Sequence, residues 1–469
     1  MNYPPRTIAI VGAGFSGTAV ATNLLQRPSG APLRVILLDR APAGRGVAYA
    51  NREFPYLLNV PAGRMSADAA QPLDFLNFAQ ARYPRTTAHD FLPRSLYGEY
   101  LDHRLTSAER DPAPGVELER VCGTACSVQR DAGGEGYRVQ LSDGRSVSAD
   151  EVVLALGNPP SDALPGAEQL LGSASYVADP WSVAPGFRAG ERVLVVGTGL
   201  TMADVVTAGA SAARGDVRVY AISRHGLVPP SQTALGHEPV QIDGRRLLEA
   251  ASFSTRSLVR AIRGVAAELL DRGGDWRELM NVLRNQAPQL WQRMPLRERQ
   301  RFLRHVRPYW DIHRHRLPRQ TLTELEKLRD EHKLSVHAGR IVSLERAGAQ
   351  VRVTWRPRAT HAPTTLIVDR VINCTGPNYD PRRSRDPLLI SLLAQGLAVP
   401  DALGLGVRTG AVGALLDAQG RSVNGLYYVG PMLRPDHWES TAVPELREHA
   451  ARLAQHLAGP VLMRTASSL

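Results

Sequence analysis

Two glycine-rich segments carry the residue types and the spacing that bind phosphate groups. The first, Gly12-Ala13-Gly14-Phe15-Ser16-Gly17, follows the apolar run 7–11, and the second, Gly197-Thr198-Gly199-Leu200-Thr201-Met202-Ala203, follows the run 192–196. The first glycine of such a segment permits a tight turn, the second lets a pyrophosphate approach the backbone, and the following helix directs N–H groups at the phosphate. Two segments of this kind predict two dinucleotides in one chain, which is what a flavin reduced by a nicotinamide requires.

The sequence around the first segment completes the pattern. A helix is predicted over 16–26, and the apolar strand 34–38 ends at Asp39. This position lies about 20 residues after the glycines, where an acid accepts hydrogen bonds from a ribose hydroxyl. We therefore predict that Gly12, Gly14, Gly17 and Asp39 bind FAD. The alternative is a glycine-rich turn of an α/β protein that binds no ligand.

The second segment differs at the corresponding strand end. The predicted strand 217–222 runs into Ser223-Arg224-His225-Gly226, which contains no acid. An arginine at this place pairs with a 2′-phosphate, whereas an acid would repel it. The sequence thus predicts NADPH at this site, with Arg224 on the 2′-phosphate and His225 assisting. The alternative is that Arg224 is only a solvated surface residue.

The composition narrows the class of protein. The 469 residues have a formal net charge of +11, but the arginines are spread along the chain without a basic block, so nucleic-acid binding is not expected. The three cysteines, Cys122, Cys126 and Cys374, contain no Cys-x-x-Cys pair, so neither a redox dithiol nor a metal site is expected. The absence of a signal peptide and of a long apolar stretch predicts a cytoplasmic protein that does not enter membranes.

The order of the patterns predicts an α/β fold with two Rossmann-like dinucleotide-binding domains, β-meanders and a helical insertion. An FAD domain is expected over 1–160, an NAD(P) domain over 161–375, and a return to the FAD domain over 376–469. Meanders are predicted over 115–149 and 334–368. The insertion occupies about 245–325, with helices over 245–251, 255–271, 276–284 and 296–307.

Several segments resemble a recognisable family. They are Gly-Phe-Ser-Gly at 14–17, Leu-Leu-Asn-Val-Pro-Ala-Gly-Arg-Met-Ser at 57–66, Pro-Arg-Ser-Leu-Tyr-Gly-Glu-Tyr-Leu at 93–101, Ser-Arg-His-Gly at 223–226, Asn-Cys-Thr-Gly-Pro at 373–377 and Trp-Glu-Ser-Thr-Ala-Val-Pro-Glu-Leu-Arg at 438–447. The chain resembles the bacterial FAD/NAD(P)-binding proteins, which are similar in layout to class B flavin monooxygenases and amino-acid N-hydroxylases. This resemblance implies FAD and a reduced nicotinamide, and it does not identify the substrate.

Beyond the glycines and Asp39, the predicted cofactor contacts lie in loops and helix starts near the two segments. A last helix is expected from about 441 to 457, with Pro444 in its first turn and its N-terminal dipole stabilising negative charge on the flavin. The alternative is an ordinary capped surface helix. The further contacts that we predict are Phe15, Ser16, Arg40, Asn59, Val60, Met65, Ser66, Leu200, Thr201, Gly376, Gly430, Ser440 and Thr441.

Two clusters are candidates for substrate contacts. In the segment 310–316, Arg314 and Arg316 could clamp a substrate carboxylate. On a strand, His313 and His315 would share a face and could bind a metal, but no matching carboxylate or cysteine partner is evident, so a solvated or substrate-facing basic segment is favoured. His437 could supply an acid–base group, although a structural role for its segment is equally compatible with the sequence.

The favoured function is FAD-dependent, NADPH-using monooxygenation, by N-hydroxylation of a small amine or amino acid with molecular oxygen. Class B enzymes usually carry Phe-x-Gly-x-x-x-His before the second glycine segment, and residues 173–182 contain neither the glycine nor the histidine in register. An NADPH-flavin reductase or dehydrogenase without oxygen insertion therefore stays an alternative, as does a non-catalytic flavin-binding sensor. The catalytic residues are not predicted.

Overall fold

The chain forms two compact units, each built around its own sheet. The computed structural model describes residues 5–41, 45–50, 56–131, 133–134, 136–182, 186–213, 215–232, 242–360 and 362–459. Unit 1 takes its described residues from Met1–Asn51, Val60–Pro159 and Tyr379–Leu469, and unit 2 from Arg52–Asn59 and Pro160–Asn378.

The regular elements are numbered in chain order. The strands are β1 Arg6–Val11, β2 Leu33–Asp39, β3 Val116–Cys122, β4 Ala125–Arg130, β5 Tyr137–Leu141, β6 Ser146–Ala149, β7 Glu151–Leu154, β8 Tyr176–Val177, β9 Arg192–Val196, β10 Arg218–Ser223, β11 Leu334–Ala347, β12 Gln350–Pro357, β13 Thr364–Val368, β14 Arg370–Asn373, β15 Ala414–Leu416 and β16 Ser422–Tyr428. The helices are α1 Phe15–Leu25, α2 Gly46–Ala50, α3 Asp74–Arg82, α4 Arg94–Arg110, α5 Leu200–Ala212, α6 Arg245–Phe253, α7 Thr255–Asp271, α8 Trp276–Arg293, α9 Leu296–His305, α10 Arg307–Arg314, α11 Arg319–Asp330, α12 Pro387–Ala394 and α13 Val443–Ala458.

Unit 1 is organised around a six-stranded sheet in the order β15-β16-β7-β1-β2-β3. All neighbours are parallel except the edge pair β15 and β16. Ala9 and Val11 of β1 belong to a buried cluster that includes Val128 and Val139 of the antiparallel sheet β4-β5-β6. The fully buried Ile8 and Ile10 alternate with them and point to the opposite face. β1 is therefore a central strand covered on both faces.

Unit 2 contains a seven-stranded sheet in the order β13-β12-β11-β10-β9-β14-β8. β8, β14, β9, β10 and β11 are parallel, and β11, β12 and β13 form an antiparallel meander. Residues 334–338 of β11 pair with β10, and residues 339–347 pair with β12. One long strand thus joins the parallel sheet to the meander.

The predicted fold class is confirmed, with two Rossmann-like arrangements, meanders and a helical insertion. The predicted start of the first meander, at residue 115, was wrong. The strand β3 pairs in parallel with β2 as an edge strand of the main sheet, so the meander begins only with β4. The half-buried alternation of β3 is the same that a meander strand would show. α8 continues to Arg293, beyond the predicted end at 284, since the buried Ala287 and Leu290 extend its apolar face.

Among the helices of the described residues, none combines the length and the apolar composition that a bilayer crossing requires.

Candidate functional site

The two glycine segments have the same local geometry in their two units. Gly12 follows β1 with φ +105°, and Gly197 follows β9 with φ +112°. A Cβ atom at Gly12 would lie 2.3 Å from the carbonyl oxygen of Ala155, and one at Gly197 would lie 2.2 Å from that of Cys374. Both carbonyls follow the neighbouring strand, β7 or β14. Only glycine fits either turn, as the sequence pattern predicts.

The second glycine of each segment faces open space. A Cβ atom at Gly14 would meet only the Cα atom of Gly46, at 3.7 Å, and one at Gly199 would meet no described atom within 4 Å. Gly14 and Gly199 are the N-caps of α1 and α5, and no described side chain caps either helix. The first turns contain no acidic residue. The space and the helix N–H groups therefore suit a pyrophosphate.

The two segments differ at the position of the third glycine. A Cβ atom at Gly17 would lie 1.8 Å from the carbonyl oxygen of Gly12. At the equivalent place in the second segment stands Met202, which is fully buried, and the next residue, Ala203, is fully buried as well. A large side chain is thus accommodated in unit 2 at a place where unit 1 tolerates none.

Asp39 lies beside the first glycine segment. The backbone N–H of Ala13 donates to its Oδ2 at 2.5 Å, and that of Ala41 donates to Oδ1 at 3.1 Å. The structure therefore brings the acid at the end of β2 to the glycine turn, as the ribose assignment requires. Arg40, the next residue, is exposed.

The predicted loop contacts 60–66 belong to unit 1, whereas Asn59 belongs to unit 2. Met65 and Ser66 are buried. The loop is fixed from two helices, because the Tyr100 hydroxyl of α4 accepts the N–H of Ala67 at 3.0 Å and Arg447 of α13 donates to the carbonyl of Ser66 at 3.2 Å.

A buried tyrosine of α4 packs against the start of α1 and against α2. The Tyr97 ring lies 6.4 Å from the ring of Phe15 and 4.7 Å from that of Tyr49. Burial raises the pKa of Tyr97, while the charge of Arg447 acts in the opposite direction. Tyr97, Tyr100 and Arg447 were not predicted as site residues, although the segments 93–101 and 438–447 that contain them were noted.

The predicted contacts at the end of unit 1 lie in the turn before α13. Gly430 caps a short 3-10 helix, and the fully buried Ser440 donates its hydroxyl to the carbonyl of Pro431 at 3.1 Å. α13 begins at Val443, two residues after the half-buried Thr441, with Ala442 as its N-cap. The predicted start near 441 was therefore too early. Pro444 lies in the first turn, as expected.

His437, a predicted substrate contact, packs against another histidine. Its ring centroid lies 4.5 Å from that of His449 on α13. Burial lowers the pKa of His437, and burial together with His437 and Arg452 lowers the pKa of His449 to about 3. Both imidazoles are therefore neutral near neutral pH.

The second glycine segment is tied to the end of β10. The hydroxyls of Thr198 and Ser223 are 2.8 Å apart, and Ser223 pairs with Ala338 of β11. The guanidinium of Arg358 donates to Nδ1 of His225 at 2.7 Å. Since an arginine only donates, Nδ1 accepts and the imidazole is neutral.

The end of β10 is strongly cationic. The pKa of His225 is lowered, first by burial and then by Arg358, Arg224 and Arg340. These three arginines are exposed, and no carboxylate in the described part of the chain forms a salt bridge with any of them. Arg340 and Arg358 were missed from the sequence, because they lie on the meander, more than 100 residues after Arg224.

The remaining predicted residues lie elsewhere in unit 2. Leu200 and Thr201 open α5, and Gly376 follows β14 with φ +84°. Arg314 ends α10, and the guanidinium carbon of Arg316 lies 5.8 Å from the Trp276 ring.

His313 and His315 do not have the strand conformation that would place them on one face. His313 belongs to α10 and His315 caps it. Two residues apart on a helix do not share a face. Within the described ranges, no group of three or more His, Cys, Asp or Glu residues could hold a metal ion.

The cysteines do not form a reactive pair. Cys122 and Cys126 belong to β3 and β4 of unit 1, and Cys374 follows β14 in unit 2. All three are free in the described structure. Burial raises the pKa of Cys374, with a smaller contribution from Asp204.

Comparisons with known proteins agree with the glycine geometry. Residues 9–159 match the family model described as FAD-NAD(P)-binding. No curated protein matches the chain by sequence.

Solved structures share the fold. The chain is similar to the reduced form of ornithine hydroxylase from Pseudomonas aeruginosa, with 14% identity, 97% of this chain and 99% of that chain covered, and a TM-score of 0.63. L-lysine 6-monooxygenase from Pseudomonas syringae matches with 17% identity, coverage of 97% and 99%, and a TM-score of 0.61. Bacillithiol disulfide reductase from Bacillus cereus matches with 15% identity, coverage of 97% and 99%, and a TM-score of 0.52. The chain therefore has the fold of two-domain flavoproteins, a fold that does not by itself determine the reaction.

Proposed function

We propose that this chain is an FAD-dependent oxidoreductase that uses NADPH. The observation that carries the proposal is that the two glycine turns have the same geometry but lie beside strand ends of opposite charge. Asp39 stands at the strand end in unit 1, whereas Arg224, Arg340 and Arg358 surround the strand end in unit 2. A carboxylate suits a ribose with a free hydroxyl, and guanidinium groups suit a 2′-phosphate.

The cofactors are assigned accordingly. Residues 1–160 and 376–469 form the FAD domain and residues 161–375 the NADPH domain, with the pyrophosphates on the N-termini of α1 and α5. A flavin held there would supply the hydride acceptor for NADPH and the electron donor for oxygen. The chain's own groups hold this arrangement: Asp39 orients the ribose, and Tyr100 and Arg447 fix the loop 60–66. The N-terminal dipole of α13 favours negative charge near its start.

The proposed reaction is N-hydroxylation of a small amine or amino acid. The similar structures include an ornithine hydroxylase and a lysine 6-monooxygenase, which supports this class. Disulfide reduction, the activity named for another similar structure, gains no support, because the three cysteines form no redox pair. Arg314 and Arg316 are proposed to bind a substrate carboxylate, and His437 to accept a proton.

The cofactor assignment is tested by charge removal. Arg224→Ala and Arg358→Ala should each weaken NADPH binding about ten- to a hundredfold and leave NADH binding nearly unchanged, because only NADPH carries the 2′-phosphate. Dissociation constants of both cofactors are measured by fluorescence titration. Arg352→Ala is the matched control, since this exposed arginine lies on β12 six residues before Arg358. Equal losses for NADPH and NADH would show that the arginines act on the fold.

The reaction is tested by product analysis. The holoenzyme, NADPH and oxygen are incubated with ornithine, lysine, cadaverine and related amines, and hydroxylated product and hydrogen peroxide are measured together. N-hydroxylation requires product that forms only with an amine. Peroxide alone would indicate a reductase without oxygen insertion, and no NADPH consumption would indicate a non-catalytic flavin-binding protein.

A further inference from the structure

The helical insertion brings an aromatic side chain to the cationic end of β10. The ring of Tyr309, on α10, lies 6.0 Å from the ring of His225, with an interplanar angle of 52°. His225 is also the residue that accepts the hydrogen bond from Arg358. Tyr309 and the arginine cluster are therefore neighbours within unit 2.

α10 is held in place by its other aromatic residues. Trp310 packs edge-on against Phe302 of α9 at 6.3 Å, and His313 packs edge-on against Trp276 of α8 at 5.0 Å. His313 also bonds through Nδ1 to the carbonyl of Tyr309 at 2.7 Å. These contacts fix the helix without using the Tyr309 ring.

Tyr309 remains 47% exposed as a residue, so its aromatic side chain is accessible beside a group of guanidiniums. An adenosine 2′-phosphate has both matching parts. Its phosphate pairs with arginines, and its purine stacks on aromatic rings. In a Rossmann arrangement the adenosine ribose lies at the end of the second strand, which is β10 in this unit.

We infer that Tyr309 stacks on the adenine ring of the nicotinamide dinucleotide, so that the helical insertion contributes to cofactor binding. This inference rests on the proposed NADPH site. It predicts separate roles for these residues. The arginines select the 2′-phosphate, which only NADPH carries, and Tyr309 binds the adenine ring, which NADPH and NADH share.

The test uses adenosine 2′,5′-bisphosphate as the probe, titrated by calorimetry into the full FAD-loaded chain. Tyr309→Ala should weaken binding of the probe about tenfold, and Tyr309→Phe should retain it, because the phenyl ring still stacks. Tyr83→Ala is the control, since Tyr83 is a 54% exposed tyrosine of α3's C-cap in unit 1. Tyr309→Ala should also weaken NADPH and NADH by the same factor, whereas Arg224→Ala weakens only NADPH.

The outcomes of this test distinguish a failure of the stacking role from a failure of the proposed NADPH site. Failure of the wild-type chain to bind the probe would overturn the NADPH site and the stacking role together. Wild-type binding with unchanged affinity in Tyr309→Ala would overturn the stacking role and leave the NADPH site standing. A loss in Tyr309→Phe equal to that in Tyr309→Ala would also overturn it, since the hydroxyl and not the ring would then be responsible.

Discussion

At the scale of single residues, Gly14 and Gly199 allow the two cofactors to be removed separately. Both have extended backbone and room for a Cβ atom, so alanine is compatible with the fold. Gly14→Ala should give a folded, colourless protein, because the methyl group occupies the space of the FAD pyrophosphate. Gly199→Ala should remain yellow and lose NADPH binding. Flavin absorbance and NADPH titration measure the two losses.

Gly17→Ala provides the contrast for that pair. Its Cβ atom would overlap the carbonyl oxygen of Gly12, so the turn itself must shift and thermal stability should fall. A Gly14→Ala protein that retains its full flavin content would refute the position of the pyrophosphate. A Gly14→Ala protein that melts as early as Gly17→Ala would show a defect of folding.

His449 should make the stability of the protein sensitive to acid. Its pKa is about 3 in the folded chain and 6.5 in the unfolded chain, so between these values the unfolded state binds more protons. Stability is therefore lost as pH falls from 6.5 towards 3. From pH 7 to 5.5 this group contributes a loss of about 1.3 kcal/mol. Urea unfolding at the two pH values measures it.

His449→Gln should remove that part of the pH dependence. The other charged groups that act on the pair of His437 and His449 are Arg452 and Asp436, and both remain in the variant together with His437. His305→Gln, at an exposed position of α9, should behave like the wild type. An unchanged pH dependence in His449→Gln would mean that the buried histidine is not the source.

At the scale of elements, α13 supports the predicted flavin-facing loop through Arg447. Arg447→Met removes the charged donor to the Ser66 carbonyl and keeps most of the side-chain volume. We expect FAD affinity to fall by about tenfold, since a hydrogen bond to a charged group contributes about 1.5–3 kcal/mol. FAD release is followed by fluorescence.

Arg452→Met is the control on the same helix. Arg452 is exposed and donates to the carbonyl of Glu448, one turn before it. Its loss should leave FAD affinity unchanged. If both variants release FAD equally, the effect belongs to helix stability and not to the loop.

The sequence predicted those elements whose own pattern determines them. Two segments, 7–26 and 192–212, were predicted correctly as a strand, a glycine turn and a helix. Buried strands and glycine turns have local sequence patterns, so no distant residue is needed to predict them. β3 was misassigned, since its partner β2 lies far away in sequence. Arg340 and Arg358 could not be predicted for the same reason, because the pairing of β10 with β11 and of β11 with β12 brings them to His225.

At the scale of the whole molecule, each unit has a complete strand–turn–helix arrangement with its own neighbouring strand. In unit 1 the carbonyl of Ala155, and in unit 2 that of Cys374, occupies the place where a Cβ atom of the first glycine would lie. A substitution in one glycine turn should therefore leave the other turn intact.

Because the arginines at the end of β10 are exposed, the salt concentration should change the preference of the protein for NADPH over NADH. Mobile ions screen exposed charges over about 30 Å at 0.01 M and about 3 Å at 1 M ionic strength. On a chain of net charge +11, added potassium chloride should weaken NADPH binding steeply and NADH binding only slightly. The ratio of the dissociation constant of NADH to that of NADPH should fall between 0.01 M and 1 M salt and approach one at the higher concentration. A ratio that stays constant over this range would place the 2′-phosphate away from the arginines, because contacts with exposed guanidiniums must respond to the ionic atmosphere.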